Sequence, residues 1–176
     1  MNYWDLDRFG RVRLSDNFYM REFLYSEIAN FYQISNLPHD PPAIIAAGEK
    51  LAQELLEPLQ QKCGRLHIRS GYRSPVLNLE GSKRGLGCKS NDKNWGRKIW
   101  GYDKEGYLGA MVCIVIPAFQ DEYECTGDMS PVANWINDNL DYSELIFFKK
   151  QGAFNLGWHE KRHQDTKYPI TFNYRK

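Results

Sequence analysis

Apolar residues recur at three- and four-residue spacings between Ile44 and Leu59, so that Ile44, Ile45, Leu51, Ala52, Leu55, Leu56 and Leu59 share one face of a helix. Asp40-Pro41-Pro42 starts it, because proline in the first turn gives up no donor that the helix needs, and Gly64 stops it. Pro58 falls inside the pattern and is expected to kink the helix or end it early. Upstream, Ser15 or Asn17 reads as the cap of a first helix between Phe18 and Asn30, with Phe18, Phe23, Leu24 and Ile28 on one side. The stretch from Asn36 to Pro42 is a rigid connector between the two.

Beyond Gly64 the period changes. Leu66-His67-Ile68-Arg69-Ser70 alternates as a half-buried strand does, and the β-branched run Met111 to Ile116 predicts a central strand buried on both faces. Between them, Gly81 to Gly96 is a long loop of Gly, Ser, Lys and Asn without periodicity, and Asp103 to Gly106 is a turn. Ser130-Pro131 is expected to cap a helix carrying Val132, Trp135, Ile136 and Leu140. Leu145 to Phe148, Phe154 to Glu160 and Ile170 to Tyr174 then read as strands. Helices first and clustered strands later predict an α+β class, one domain over residues 1–176, with a mostly antiparallel sheet and helices packed on one face.

Composition narrows the function. The 176 residues carry 23 Lys+Arg against 22 Asp+Glu, a formal net charge of +1, which supplies no global field toward nucleic acid or an anionic membrane. No nucleic-acid partner is expected. The longest apolar run, Ala110 to Phe119, is interrupted by Pro117 and is far short of the ~20 residues of a membrane span. Met1 to Asp7 lacks the basic segment and apolar run of a signal peptide, so the expectation is a soluble chain, cytoplasmic or assembled into a larger particle. Cys63, Cys88, Cys113 and Cys125 lie far apart with no C-x-x-C pair and read as reduced thiols.

Two motifs carry candidate chemistry. His159-Glu160-Lys161-Arg162-His163 matches H-E-x-x-H, but the helix that this zinc motif needs is not predicted there, and the match reads as accidental. The run Ser70-Gly71-Tyr72-Arg73-Ser74-Pro75-Val76-Leu77-Asn78 is more specific. It resembles the S-G-Y-R-S-P-x-x-N motif of the zinc D-alanyl-D-alanine carboxypeptidase and Hedgehog-type peptidase family, and looser similarity extends over about residues 14–160. The resemblance implies that fold, peptidoglycan as substrate, and Arg73, with Ser70, Tyr72 and Asn78 around it, as the group holding a substrate carboxylate through a planar fork.

The same resemblance implies a zinc site. The family uses His and Asp seven positions apart in S-x-H-x-x-G-x-x-x-D, a second His, and a glutamate three residues before it as general base. No histidine lies between His67 and His159, Asn94 and Gly101 stand at a seven-residue separation, and the general-base position is Leu156. His159, Asp103 and Cys88 are the residues able to rebuild a metal site, and Lys98 or Arg97 is the alternative occupant, a fixed cation paired with an acidic neighbour. The expected function is a peptidase-like domain with an incomplete zinc site and no cofactor. It would act as a structural or binding module among virion, tail or cell-envelope proteins, with peptidoglycan a further possible partner. The alternative is an active, divergent zinc peptidase of peptidoglycan stem peptides, and an interaction domain unrelated to peptidoglycan is a third reading.

Overall fold

The computed structural model describes residues 1–161 and the backbone of residues 171–173. It opens on α1 (Tyr3–Gly10), a helix that the hydrophobic pattern does not predict. Asn2 accepts the Asp5 N–H while the Asp5 carboxylate accepts the Asn2 N–H, and this reciprocal cap closes the first turn. The single helix expected between Phe18 and Asn30 is replaced by a 3-10 turn (Met20–Phe23) and a separate α2 (Glu27–Tyr32). Ser26 is the reason: its hydroxyl accepts the Ala29 N–H and begins a new helix. Ser15 and Asn17 cap neither piece. Both bond the Glu57 carboxylate, at 2.7 Å for each contact, and tie the N-terminal segment to the main helix.

The main helix starts as expected, with Asp40 accepting the Ala43 N–H at the head of α3 (Pro41–Leu51). It does not end at Pro58. A π turn (Ala52–Leu56) leads into α4 (Glu57–Cys63), and the Glu57 N–H reaches back five residues to the Ala52 carbonyl. Widening the turn just before a residue that has no N–H lets the helix continue past it. Gly64, at φ 78°, ends it.

Three more helices follow: α5 (Pro75–Lys83), α6 (Pro117–Thr126) and α7 (Ser130–Asn139). Each has proline in its first turn. Ser130 is the first helical residue of α7, not its cap, and its N–H is taken by the Asp128 carboxylate at 2.8 Å.

The strands are β1 (His67–Ser70), β2 (Gly101–Tyr102), β3 (Leu108–Val115), β4 (Glu144–Phe148), β5 (Ala153–His159) and β6 (Thr171–Asn173). Their order is β1-β3-β5-β4-β6, with β2 also on β3, and every pairing is antiparallel except β4 with β6. The class is α+β, as expected. β3 is central, with Ser70 opposite Cys113, Met111 opposite Gly157 and Gly109 opposite His159. Between β1 and β2 the edge of β3 is completed by the irregular chain: the Arg97 carbonyl accepts the Met111 N–H and Trp100 Nε1 donates to the Met111 carbonyl, both at 3.0 Å. Ala110, Val112 and Ile114 enter the core with Ile44, Leu51, Leu55, Trp100 and Ile136. Met111 and Cys113 alternate with them toward the opposite face and are buried as well, so this face too is covered. The candidate chemistry sits on that side.

Candidate functional site

The Ser70 to Asn78 run is a strand end, a turn and a helix start, and most of its residues have structural work. Gly71 is required because a Cβ there would lie 2.7 Å from both the Phe23 Cβ and the Phe23 carbonyl oxygen. The Ser74 hydroxyl caps α5 by accepting the Leu77 N–H, and Pro75 fills the first helical position. Tyr72, expected at a substrate, is instead fully buried against Trp100, its hydroxyl donating to the Leu37 carbonyl at 3.2 Å and lying 3.0 Å from His39 Nδ1. Burial pushes its phenol up and pushes His39 down, with Asp40 opposing the shift at His39.

Asn78, also expected at a substrate, is buried in an amide network. Its Nδ2 donates to the Lys89 carbonyl and to Asn91 Oδ1, and its Oδ1 accepts from Asn94 Nδ2 at 2.8 Å. Asn78 and Asn94 therefore pin the long loop onto α5. Ser70 contributes its carbonyl, which accepts Lys98 Nζ at 3.1 Å. The Arg73 N–H donates to the Lys98 carbonyl at 2.8 Å, while its side chain is half-buried, with Nη1 donating to Cys88 Sγ at 2.9 Å and a buried Nε that has no partner.

Two of the three candidate metal ligands come together. His159 Nε2 lies 3.0 Å from Asp103 Oδ2, with both side chains about four-fifths buried (20% and 19% exposed). The 103–107 turn aims the carboxylate, because Asp103 Oδ1 accepts the N–H groups of Glu105 and Tyr107 at 2.8 and 2.9 Å. Burial raises the Asp103 carboxyl, but these two N–H donors and His159 outweigh it and hold it below its ordinary value. Cys88 does not join the pair; its thiol is held by Arg73 and packs on Gly81, where a Cβ would meet Sγ at 2.5 Å. Among the described residues no three His, Cys, Asp or Glu side chains gather into a metal-binding group. His163 lies outside the described residues.

The pair opens on a pocket of about 280 Å³, walled by Trp95, Gly96, Met111, Gly157 and Trp158. Arg97 and Glu144 face each other across it as a close ion pair, and Glu105 with Lys161 forms a second at its rim. Of the two cations considered as occupants, Arg97 is in the pocket and Lys98 is turned away into the interior. Leu156 lies in the core on the opposite face from His159, so the general-base position of the family pattern carries no acid. A larger hollow of about 430 Å³, lined by Pro58, Gln61, Lys62, Trp135 and Asn139, contains no acid, histidine or thiol.

Gly96 completes the geometry and was missed. It has φ 68°, and a Cβ on it would lie 3.2 Å from both Asp103 Cβ and His159 Nε2. Gly109 keeps it there, since any side chain at Gly109 would strike the Gly96 carbonyl oxygen at 2.1 Å. Counting back seven residues from Asp103 reaches Gly96, and that count was the available signal. A scan against protein-family models, a search of curated proteins and a search of solved structures each found no match to this chain.

Proposed function

We propose that this chain is a peptidase-like scaffold whose metal site is incomplete and that it works as a binding or structural module. The observation that carries the reading is Gly96. In the pattern S-x-H-x-x-G-x-x-x-D the histidine precedes the aspartate by seven positions, and Gly96 precedes Asp103 by seven, with its Cα beside the Asp103–His159 pair. The register is therefore Gly96 and Asp103, rather than the Asn94 and Gly101 considered from sequence alone. Two of three ligand types are in place and the third position has no side chain. A zinc ion on one imidazole and one carboxylate lacks the three protein ligands that a catalytic site uses. Glu144, the nearest acid upstream of that position in the sequence, is taken up in an ion pair with Arg97. A place among virion or tail proteins follows from the same resemblance, which extends over about residues 14–160.

Elemental analysis of the untagged protein after dialysis against a weak chelator tests the reading. The expected result is no retained zinc and no change in melting temperature on adding zinc. About one tightly held zinc per wild-type chain, with hydrolysis of a D-alanyl-D-alanine peptide, would replace it with the active-enzyme reading.

A further inference from the structure

Charge runs along this chain in blocks. Residues 83–98 hold six lysines and arginines and one acid, whereas residues 117–142 hold six acids and no lysine or arginine. The two nearly cancel within the net charge of +1, but the fold keeps them apart. The basic block lies over α5, pinned by Asn78 through the Lys89 carbonyl and Asn91, and its Gly96 sits against Gly109 and His159 on the Met111 side of β3. The acidic block belongs to α6, α7 and their connections, and Tyr123, Val132 and Ile136 of those helices enter the core with Val112 and Ile114, on the other side of β3. α6 follows the far end of β3 and packs on the turn between β4 and β5, where a Cβ at Gly152 would meet Gln120 and Tyr123. From Gly109 to Val115 β3 rises about 20 Å, so the two blocks face opposite sides and opposite ends of the sheet.

The basic surface has the anatomy of an interface. Lys83 and Arg84 share one carboxylate, Glu80, and the block's one acid, Asp92, is taken up by Lys104. Among the described residues Lys89 and Lys93 make no ion pair, and both are exposed. α2 packs on the same body, with Arg84 over the Tyr32 ring at 4.4 Å and Ile28 Cδ1 at 3.4 Å from a Cβ placed on Gly81. None of the residues of α2 is buried: Phe31 stands 79% exposed, and Val76, Leu79 and Leu86 are exposed on α5 and the loop. Apolar side chains rimmed by lysine and arginine mark a protein-binding surface, and the positive rim selects an acidic partner.

We infer that the α5–loop surface around Lys89 and Lys93 docks α6 of a second copy of this chain, so that copies associate head to tail. α6 supplies the complement: Asp121, Glu122 and Glu124 are exposed, the helix carries no cation, and Pro117 and Ala118, one turn earlier, are exposed for apolar contact. A net charge close to zero leaves no overall repulsion between copies. Because the two faces lie at opposite ends of the molecule, one contact leaves a face open on each copy, and association continues into a ring or an open filament. The inference goes beyond the proposed function and holds whether or not zinc binds.

Sedimentation equilibrium of the wild-type chain, over a dilution series reaching millimolar concentration, tests it. At low salt the weight-average mass is expected to rise with concentration above that of one chain, and to fall back toward it at about 0.5 M salt, where screening acts within a few ångströms. Lys89→Glu with Lys93→Glu, and separately Asp121→Lys with Glu122→Lys, change exposed side chains; each pair is expected to weaken self-association by roughly tenfold or more, with an unchanged circular dichroism spectrum. Mixed together, the two variants are expected to associate again, since the first keeps its α6 and the second its basic surface. Carbodiimide coupling of the wild-type chain, which joins an amine to a carboxylate in contact with it, is expected to link Lys89 or Lys93 to Asp121, Glu122 or Glu124 between copies. A chain that stays monomeric through the low-salt series, self-association that either reversed variant retains, no association on mixing, or intermolecular links confined to other residues overturns the proposal.

Discussion

Lys98→Met changes one buried group and has a calculable pH signature. Lys98 is buried, and this burial, opposed by Cys113 and reinforced by Arg73, Arg69 and Arg97, lowers its pKa from 10.5 to about 7. That drop corresponds to roughly 5 kcal/mol of penalty on the charged form. The folded value lies below the unfolded one, so in the window between them the unfolded chain binds a proton that the folded chain does not. Stability contributed by this group therefore rises with pH from about 7 to about 10.5, by about 1.4 kcal/mol per pH step, and is lowest below about 7. Methionine removes the proton and keeps the approximate length, at a cost of about 1 kcal/mol for the donor lost to the Ser70 carbonyl.

Urea unfolding of both proteins, followed by fluorescence of the 5 tryptophans, measures the difference. Wild-type stability relative to Lys98→Met is expected to rise by roughly 2.5 kcal/mol between about pH 7.5 and about pH 9.5. A difference that stays flat over that window would mean that Lys98 is hydrated or paired with an anion, and the burial argument would fail.

Gly71→Ala places a methyl group against Phe23 and is expected to cost about 1–3 kcal/mol in urea unfolding; an unchanged midpoint would show that the two segments are not in contact. Asn78→Leu strands the amides of Asn91 and Asn94 and is expected to cost about 1–3 kcal/mol, with faster hydrogen exchange in residues 89–94 as the local readout. The Asp103 carboxyl is held below its ordinary value, so its contribution to stability is present above the unfolded value and is lost as pH falls through the folded one. Asp103→Asn is thus expected to flatten the acid limb of melting temperature against pH, and an identical limb in both proteins would count against the His159 contact.

The S-G-Y-R-S-P-x-x-N run was legible as a motif, but the roles of its residues were not. From sequence, Tyr72 and Asn78 read as groups facing a substrate; in the fold one is a core aromatic and the other locks a loop. Asp103 and His159 were identified as chemically competent ligands, yet their pairing depended on β3 bringing the 103–107 turn opposite the end of β5. Cys88 had the right chemistry and the wrong neighbour. The helices α5 and α6 carried the same proline start signal as α3, but one was hidden inside a motif and the other inside an apolar run.

The α+β class, the helix beginning at Asp40 and the positions of β1, β3, β4 and β5 follow from local rules, because periodicity, proline starts and glycine stops act within a few residues of chain. Absence has no such local signal. Gly96 became meaningful only when Asp103 and His159, 56 residues apart, met beside it. Which side chain is missing from a site depends on distances between segments far apart in sequence, and tertiary packing alone sets those distances.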